Sequence, residues 1–178
     1  STMRRNAKAV NFGIIYGMSD YGLAEQLGVT VKEAKSFIEK YFEKYAEIKE
    51  YMNKSIDFGK ENGYVSTVLN RKRYIPEINE KNYMRQEFGK RLAMNSPIQG
   101  SAADIIKLAM IKVDQLLKEN HMKSKMILQV HDELIFDVYE DELEQMMKLV
   151  QTGMESAYQM TVELKAEGTY AKNWYELK

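Results

Sequence analysis

Apolar residues recur about every third or fourth position through most of the first 120 residues, as in helices that each bury one face. The pattern predicts a first helix over about residues 4–18, weakened in its second half by Gly13 and Gly17. A short helix is expected from about Tyr21, and Gly28-Val29-Thr30 closes it and opens the next. Thr30 with Glu33 has the capping-box pattern, and Val31, Ala34, Ile38, Tyr41, Phe42 and Tyr45 supply an apolar stripe behind it. That helix, or a bent pair, runs on through Ile48, Met52 and Ile56 to a stop at Glu61-Asn62-Gly63. Residues 64–69 and 73–75 alternate enough for short strands about a polar turn at 70–72. A further helix is expected over about residues 82–95. Ser96-Pro97 suits a kink or a fresh start, with Ser at the cap and Pro in the first turn, and helix then resumes to about Asn120.

The texture changes after Lys123. Residues 125–130 and 134–138 predict two strands of a hairpin around His131-Asp132-Glu133, residues 141–158 a helix, and residues 161–166 a last strand. The fold class is therefore α+β, a helical lobe followed by a small antiparallel sheet with a covering helix. No repeat, low-complexity tract or flexible linker interrupts it.

Composition removes several function classes. No apolar run approaches the roughly 18 to 20 residues that span a bilayer, and the Ser-Thr-Met-Arg-Arg start has no apolar signal region. The expected location is cytoplasmic. With no cysteine, disulfide frameworks, thiolate zinc sites and cysteine nucleophiles are excluded. The net charge of zero argues against a nucleic-acid partner, but the charge is unevenly placed. Residues 1–125 carry 22 Lys and Arg against 15 Asp and Glu, whereas residues 126–178 carry 4 against 11. A basic working face with an acidic remainder has this distribution, and so do two ordinary solvated surfaces.

Three groups of residues carry candidate chemistry. Arg4, Lys8, Phe12 and Tyr16 are four apart, share one helix face and span about 18 Å of its axis. Their order, cationic then aromatic, matches the charged tail and flat base of a nucleoside triphosphate; an amphipathic helix with core aromatics has the same spacing. His131-Asp132-Glu133 puts two carboxylates at a hairpin tip, where a hard cation finds oxygen ligands. Solvated turns share that composition. Arg91, Asn95 and Gln99 form a polar face with Arg85 and Lys90 nearby, and amide side chains suit the acceptors that all base pairs present in the minor groove. An exposed polar helix face reads the same way. The Arg71-Lys72-Arg73 turn fits either solubility or an anion contact, Asp104 is either a helix cap or a functional acid, and His121 has the context of a surface residue.

The full strings decide between these readings. Arg4-Arg5-x-x-Lys8-x-x-Asn11-Phe12-Gly13-x-x-Tyr16-Gly17 resembles motif B of the family A DNA polymerases, the mobile fingers helix. His131-Asp132-Glu133 between apolar strands resembles motif C, and the run from Arg91 through Asn95, Pro97 and Gln99-Gly100 to Ala102-Ala103-Asp104 resembles the segment along the primer-template minor groove. Arg71-Lys72-Arg73 matches a basic turn of that family. The resemblance covers essentially the whole chain and looks closest to the bacterial DNA polymerase I type. It implies a division into fingers (residues 1–80) and part of the palm (residues 81–178). It also implies template-directed transfer of a nucleotide from a dNTP to a primer 3′-hydroxyl.

By that resemblance Arg4 and Lys8 contact triphosphate oxygens, Lys8 also donating a proton to the leaving group. Phe12 packs on the nucleotide sugar, where the family has either Phe or Tyr with different sugar selectivity. Tyr16 stacks where the template base enters. Arg91, Asn95, Gln99 and His131 contact the DNA, Asp132 ligates metal, and Glu133 sits near the metal or the primer end. The implied cofactor is Mg²⁺, two ions in the intact enzyme, and the implied partners are primer-template DNA and dNTP, with the enzyme a monomer and no membrane involved. One departure stands out: the Asp-Tyr-Ser-like strand of motif A, with its second metal-binding aspartate, does not occur in these residues. The chain is accordingly expected to be part of a longer enzyme and inactive alone. Two other classes remain open, a non-catalytic DNA-binding helical module and a purely structural helical protein.

Overall fold

The computed structural model describes residues 2–177 and the side chains within them except those of Thr2, Arg5 and Asn6. In chain order the elements are α1 (Thr2–Ile15), α2 (Asp20–Leu27), α3 (Val31–Lys44), α4 (Ala46–Asn62), β1 (Tyr64–Ser66) and β2 (Lys72–Tyr74). A 3₁₀ turn at Pro76–Asn79 leads to the 37-residue α5 (Tyr83–Glu119), then β3 (Lys125–Val130), β4 (Glu133–Asp137), a 3₁₀ turn at Glu140–Glu142 and α6 (Leu143–Glu155). The α+β expectation holds. Two compact units, Ser1–Ser101 and Ala102–Lys178, meet inside α5.

In the first unit, local chemistry sets the helix ends. Ser19 accepts the Gly22 N–H at α2, and Gly28 ends that helix in the left-handed region at φ 69°. The expected capping box is present: Thr30 Oγ1 accepts from the Glu33 N–H, while the Glu33 carboxylate accepts from the Thr30 N–H at 2.9 Å. Of the two readings for the long apolar stripe, the bent pair is correct, with Tyr45 the joint between α3 and α4. Helices α1 to α3 close over Ile14, Leu23, Ala24 and Ala34. Full burial of Leu23 alone contributes roughly 1.5–3 kcal/mol. A second core joins Val65, Ile75, Ile78 and Ala93, so the β1–β2 hairpin and the 3₁₀ turn pack on α5.

Pro97 does not restart the helix. α5 passes through it, Ser96 is buried within the helix instead of capping one, and Asp104 is a buried mid-helix residue and no cap. Pro97 has no N–H for the Ala93 carbonyl, a loss that breaks many helices. Here packing overrides it, with Ala93 and Met94 buried just before the proline.

In the second unit β3 and β4 pair antiparallel, and Val113, Leu117 and Met146 form the core with Met126, Phe136, Val138 and Val150. Helix α6 is thus the expected covering helix. The expected strand at 161–166 is absent: the segment is irregular, both sheets have two strands among the described residues, and alternation without a ladder partner makes no strand. The Ala166 N–H instead donates to the Glu155 carboxylate at 3.1 Å.

Glu142 ties the unit together at the foot of β3. Its carboxylate accepts from the Lys123 N–H at 2.9 Å and from the Ser124 N–H and hydroxyl at 2.9 and 2.6 Å. The Ser124 hydroxyl, with the Lys123 amide, holds the Glu142 carboxyl below its ordinary value of 4.5. A depressed carboxyl stabilises the fold above that ordinary value and loses its contribution as the pH falls through the folded-state value. Glu142→Gln is therefore expected to lower the unfolding temperature near pH 7 and to raise amide exchange at Lys123 and Ser124. The gap from wild type should close on acidification below pH 4.5, and a gap independent of pH would contradict the assignment.

Candidate nucleotide and nucleic-acid interface

Helix α1 separates two faces, and of the two readings that its spacing leaves open the exposed one holds. Ile14 is buried with Val10 packed beside it, whereas Phe12 and Tyr16 are 47% and 37% exposed. The aromatics are therefore surface groups and not core. Lys8 Nζ lies 5.8 Å from the Phe12 ring centre, and the Phe12 and Tyr16 rings are 5.9 Å apart and tilted by 32°. Lys8, Phe12 and Tyr16 thus form one continuous cationic–aromatic strip, with exposed Arg4 one turn further toward the N-terminus. An exposed ring with an ammonium beside it can take a flat, anionic ligand along its length.

The strip ends against α5. α1 stops at Ile15, and Gly17 turns the chain at φ 74°, in the left-handed region that glycine adopts without strain. A Cβ there would lie 2.5 Å from Met94 Cε and 3.4 Å from Arg91 Cγ. Asn95 Nδ2 donates to the Tyr16 carbonyl at 3.4 Å, while Asn95 Oδ1 is buried without a hydrogen-bond partner. Such an amide oxygen is costly to leave unpaired. Tyr16 and two of the three polar α5 residues, Arg91 and Asn95, are therefore brought together. The third, Gln99, is exposed one turn on and lines a cleft of about 80 Å³ with Thr67, Arg71, Lys72, Arg73, Ser96 and Gly100.

At the β3–β4 tip Val130 pairs with Glu133, leaving His131 and Asp132 as a two-residue loop. Such loops need a positive φ, and His131 supplies it at φ 55°. Gln129 Nε2 donates to the His131 carbonyl at 2.6 Å, steadying the turn. His131, Asp132 and Glu133 are all exposed. A bulge between Met126 and Leu128 shifts the register below the tip. No group of three or more His, Cys, Asp or Glu gathers among the described residues. Asp132 and Glu133 are exposed carboxylates, oxygen donors of the kind that hard cations take.

Two groups escape the reading of spacing. Tyr51, from α4, donates its hydroxyl to the Met94 carbonyl at 3.3 Å, and desolvation raises its phenol above the ordinary value of 10.0. Gln129 grips the hairpin tip. Both act on backbone carbonyls, which no residue pattern advertises. His121, as expected, is an exposed residue, placed just beyond α5.

Comparison with known proteins settles the class. The family model for DNA polymerase family A matches residues 1–176, and the chain belongs to that family. It is 53% identical over 176 residues to DNA polymerase I of Caldicellulosiruptor bescii, covering 99% of this chain and 21% of that protein. It is 51% identical over 178 residues to DNA polymerase I of Bacillus subtilis, covering 100% of this chain and 20% of that one. The chain thus spans about a fifth of the length of these curated relatives. Among solved structures, the POL domain of Pol1 from M. smegmatis in complex with DNA primer-template and dNTP is similar at a TM-score of 0.88 and 46% identity. That likeness covers 91% of this chain and 29% of that one.

Gly17→Ala tests the joint between α1 and α5. The Met94 methyl can swing aside, so backbone strain dominates, and a destabilisation of about 1–2 kcal/mol is expected from urea unfolding. An unchanged midpoint would show that residue 17 does not adopt the left-handed turn.

Proposed function

We propose that this chain is the nucleotide-selecting fingers and part of the palm of a polymerase that extends a DNA primer on a template. The fingers are assigned to residues 1–80 and the palm to residues 81–178. The observation that carries the reading is the exposed Lys8–Phe12–Tyr16 strip whose far end is joined to Arg91 and Asn95. In the proposed reaction the primer 3′-hydroxyl attacks the α-phosphate of a dNTP and pyrophosphate leaves. Arg4 and Lys8 bind the triphosphate oxygens and offset the charge that builds on the leaving group, to which Lys8 donates a proton. Phe12 packs against the sugar, and Tyr16 stacks at the entry of the template base. Arg91, Asn95 and Gln99 follow the minor groove, and His131 meets the primer backbone.

Asp132 is the proposed metal ligand of this chain, with Glu133 beside it. Divalent cations, Mg²⁺ in this reading, would lower the hydroxyl pKa and shield charge on the phosphoryl group. Residues 1–178 hold no second aspartate of the motif A type, so turnover is assigned to the longer polypeptide. No helix among the described residues is long and apolar enough to cross a membrane.

Phe12→Tyr in that longer polymerase tests the strip. A nucleotide 3′-hydroxyl can hydrogen-bond within its own phosphate assembly, a dideoxynucleotide has none, and the edge of Phe12 cannot replace it. A tyrosine hydroxyl can, and a charge-assisted hydrogen bond is worth about 1.5–3 kcal/mol, roughly 10- to 150-fold. The ratio of kcat/KM for dNTP over ddNTP should be high in wild type and fall by about that factor in Phe12→Tyr, with dNTP use little changed. An unchanged ratio in an active variant would mean that Phe12 does not face the sugar.

A further inference from the structure

A basic triplet at an exposed turn ordinarily meets phosphate, yet Arg71, exposed at the β1–β2 turn, reaches across to α5. Its Nη2 donates to the Gly100 carbonyl at 3.1 Å. The turn that carries it is closed on Thr67: the Arg71 N–H donates to Thr67 Oγ1 at 3.2 Å, and the Arg71 carbonyl accepts the Thr67 N–H at 3.1 Å. One residue along, the Val68 N–H donates to Ser101 Oγ at 3.0 Å, and the Ser101 hydroxyl donates to the Pro97 carbonyl at 2.5 Å. Thr67 Cγ2 lies 2.6 Å from where a Cβ on Gly100 would stand, so this approach requires glycine. The neighbouring Lys72 places its ammonium 4.2 Å from the Tyr64 ring centre. The cleft between them, about 80 Å³, is far smaller than the pockets of roughly 300 Å³ and upward that enclose small ligands.

Two of these bonds, from Arg71 to Gly100 and from Val68 to Ser101, reach one turn of α5, residues 97–101, and at its middle is Gln99. The proline that opens the turn leaves α5 without one of its own hydrogen bonds there. The turn is therefore held partly from outside, by the hairpin. We propose that Arg71 is a positioning residue for Gln99: by fixing the Gly100 carbonyl it sets the rotation of the α5 turn from which Gln99 meets the primer-template. The inference rests on the reading of Gln99 as a DNA-facing residue. It separates Arg71 from the phosphate contacts that its triplet suggests.

The test uses the intact polymerase that contains this chain, with Gln99→Ala, Arg71→Ala, the double variant, and Ser101→Ala as a second, uncharged way of loosening the same turn. Two quantities are measured, the extension rate from a matched primer terminus and the salt dependence of primer-template affinity. Each single variant at 71 or 99 should slow extension by about tenfold. The double variant should be no slower than Gln99→Ala to within about twofold, because residues acting through one another are not additive. Arg71→Ala should leave the salt slope unchanged. Ser101→Ala should slow extension in the Gln99 background and not in the Gln99→Ala background, so the test survives if Arg71→Ala folds poorly. Additive losses of about a hundredfold in the double variant, or a salt slope reduced by about 0.9, would overturn the proposal with Gln99's own role intact. Wild-type extension by Gln99→Ala would instead remove the reading of Gln99 as DNA-facing, and the inference with it.

Discussion

The first unit depends on how closely other elements approach α5 between Arg91 and Ser101. Tyr51 reaches the Met94 carbonyl, the chain at Gly17 lies against Met94 and Arg91, Asn95 holds the Tyr16 carbonyl, and Thr67 sits where a side chain on Gly100 would be. Two glycines make that approach possible: Gly17 by its left-handed turn and Gly100 by having no Cβ. Ala93, with no exposed surface, seals the same stretch against Val65, Ile75 and Ile78. The polar residues that α5 exposes here, Arg91 and Gln99, are consequently mounted on backbone held from several sides.

The exposed aromatics follow the same logic. α1 buries Ile14 and leaves Phe12 and Tyr16 partly exposed side by side, so that their rings form a surface and not a core. The hairpin tip departs from ease, since His131 takes a positive φ that few residue types adopt readily. Departures of this kind gather at sites where geometry serves chemistry. Both the exposed rings and the tip fall on residues that the proposed reading assigns to the nucleotide and the primer end.

Legibility divided along the range of the interactions. The Thr30–Glu33 box, the Gly28 and Gly63 stops and the β3–β4 hairpin depend on neighbours in sequence, and their residue types announce them. At Pro97 the fresh start, one of the two readings, fails because the local rule that proline ends helices is overridden by burial of Ala93 and Met94 just before it. Residues 161–166 mislead because alternation states a preference for a strand and says nothing about whether a partner edge exists. Within the site, the interval of four places Lys8, Phe12 and Tyr16 on one helix face but leaves both core aromatics and a ligand face open, and only the resemblance of the full string chooses between them. Tyr51 and the bond that Arg71 makes were not readable, although Arg71 itself stood out in the basic turn, because each bonds a backbone carbonyl far along the chain, Met94 and Gly100.

The central claim is that this chain contributes a metal-holding carboxylate to nucleotidyl transfer while its helices hold the nucleotide and DNA. Asp132→Ala in the intact polymerase separates those roles most directly, with primer extension and primer-template affinity measured on the same preparation and its fold checked by circular dichroism. Charge at Asp132 is needed in the transition state, whereas DNA affinity comes mainly from phosphate contacts elsewhere. Extension should be lost by about a thousandfold or more while affinity changes by less than about threefold. Turnover retained with a large loss of DNA binding would contradict the account, making the hairpin tip a DNA contact and leaving the chemistry to other residues.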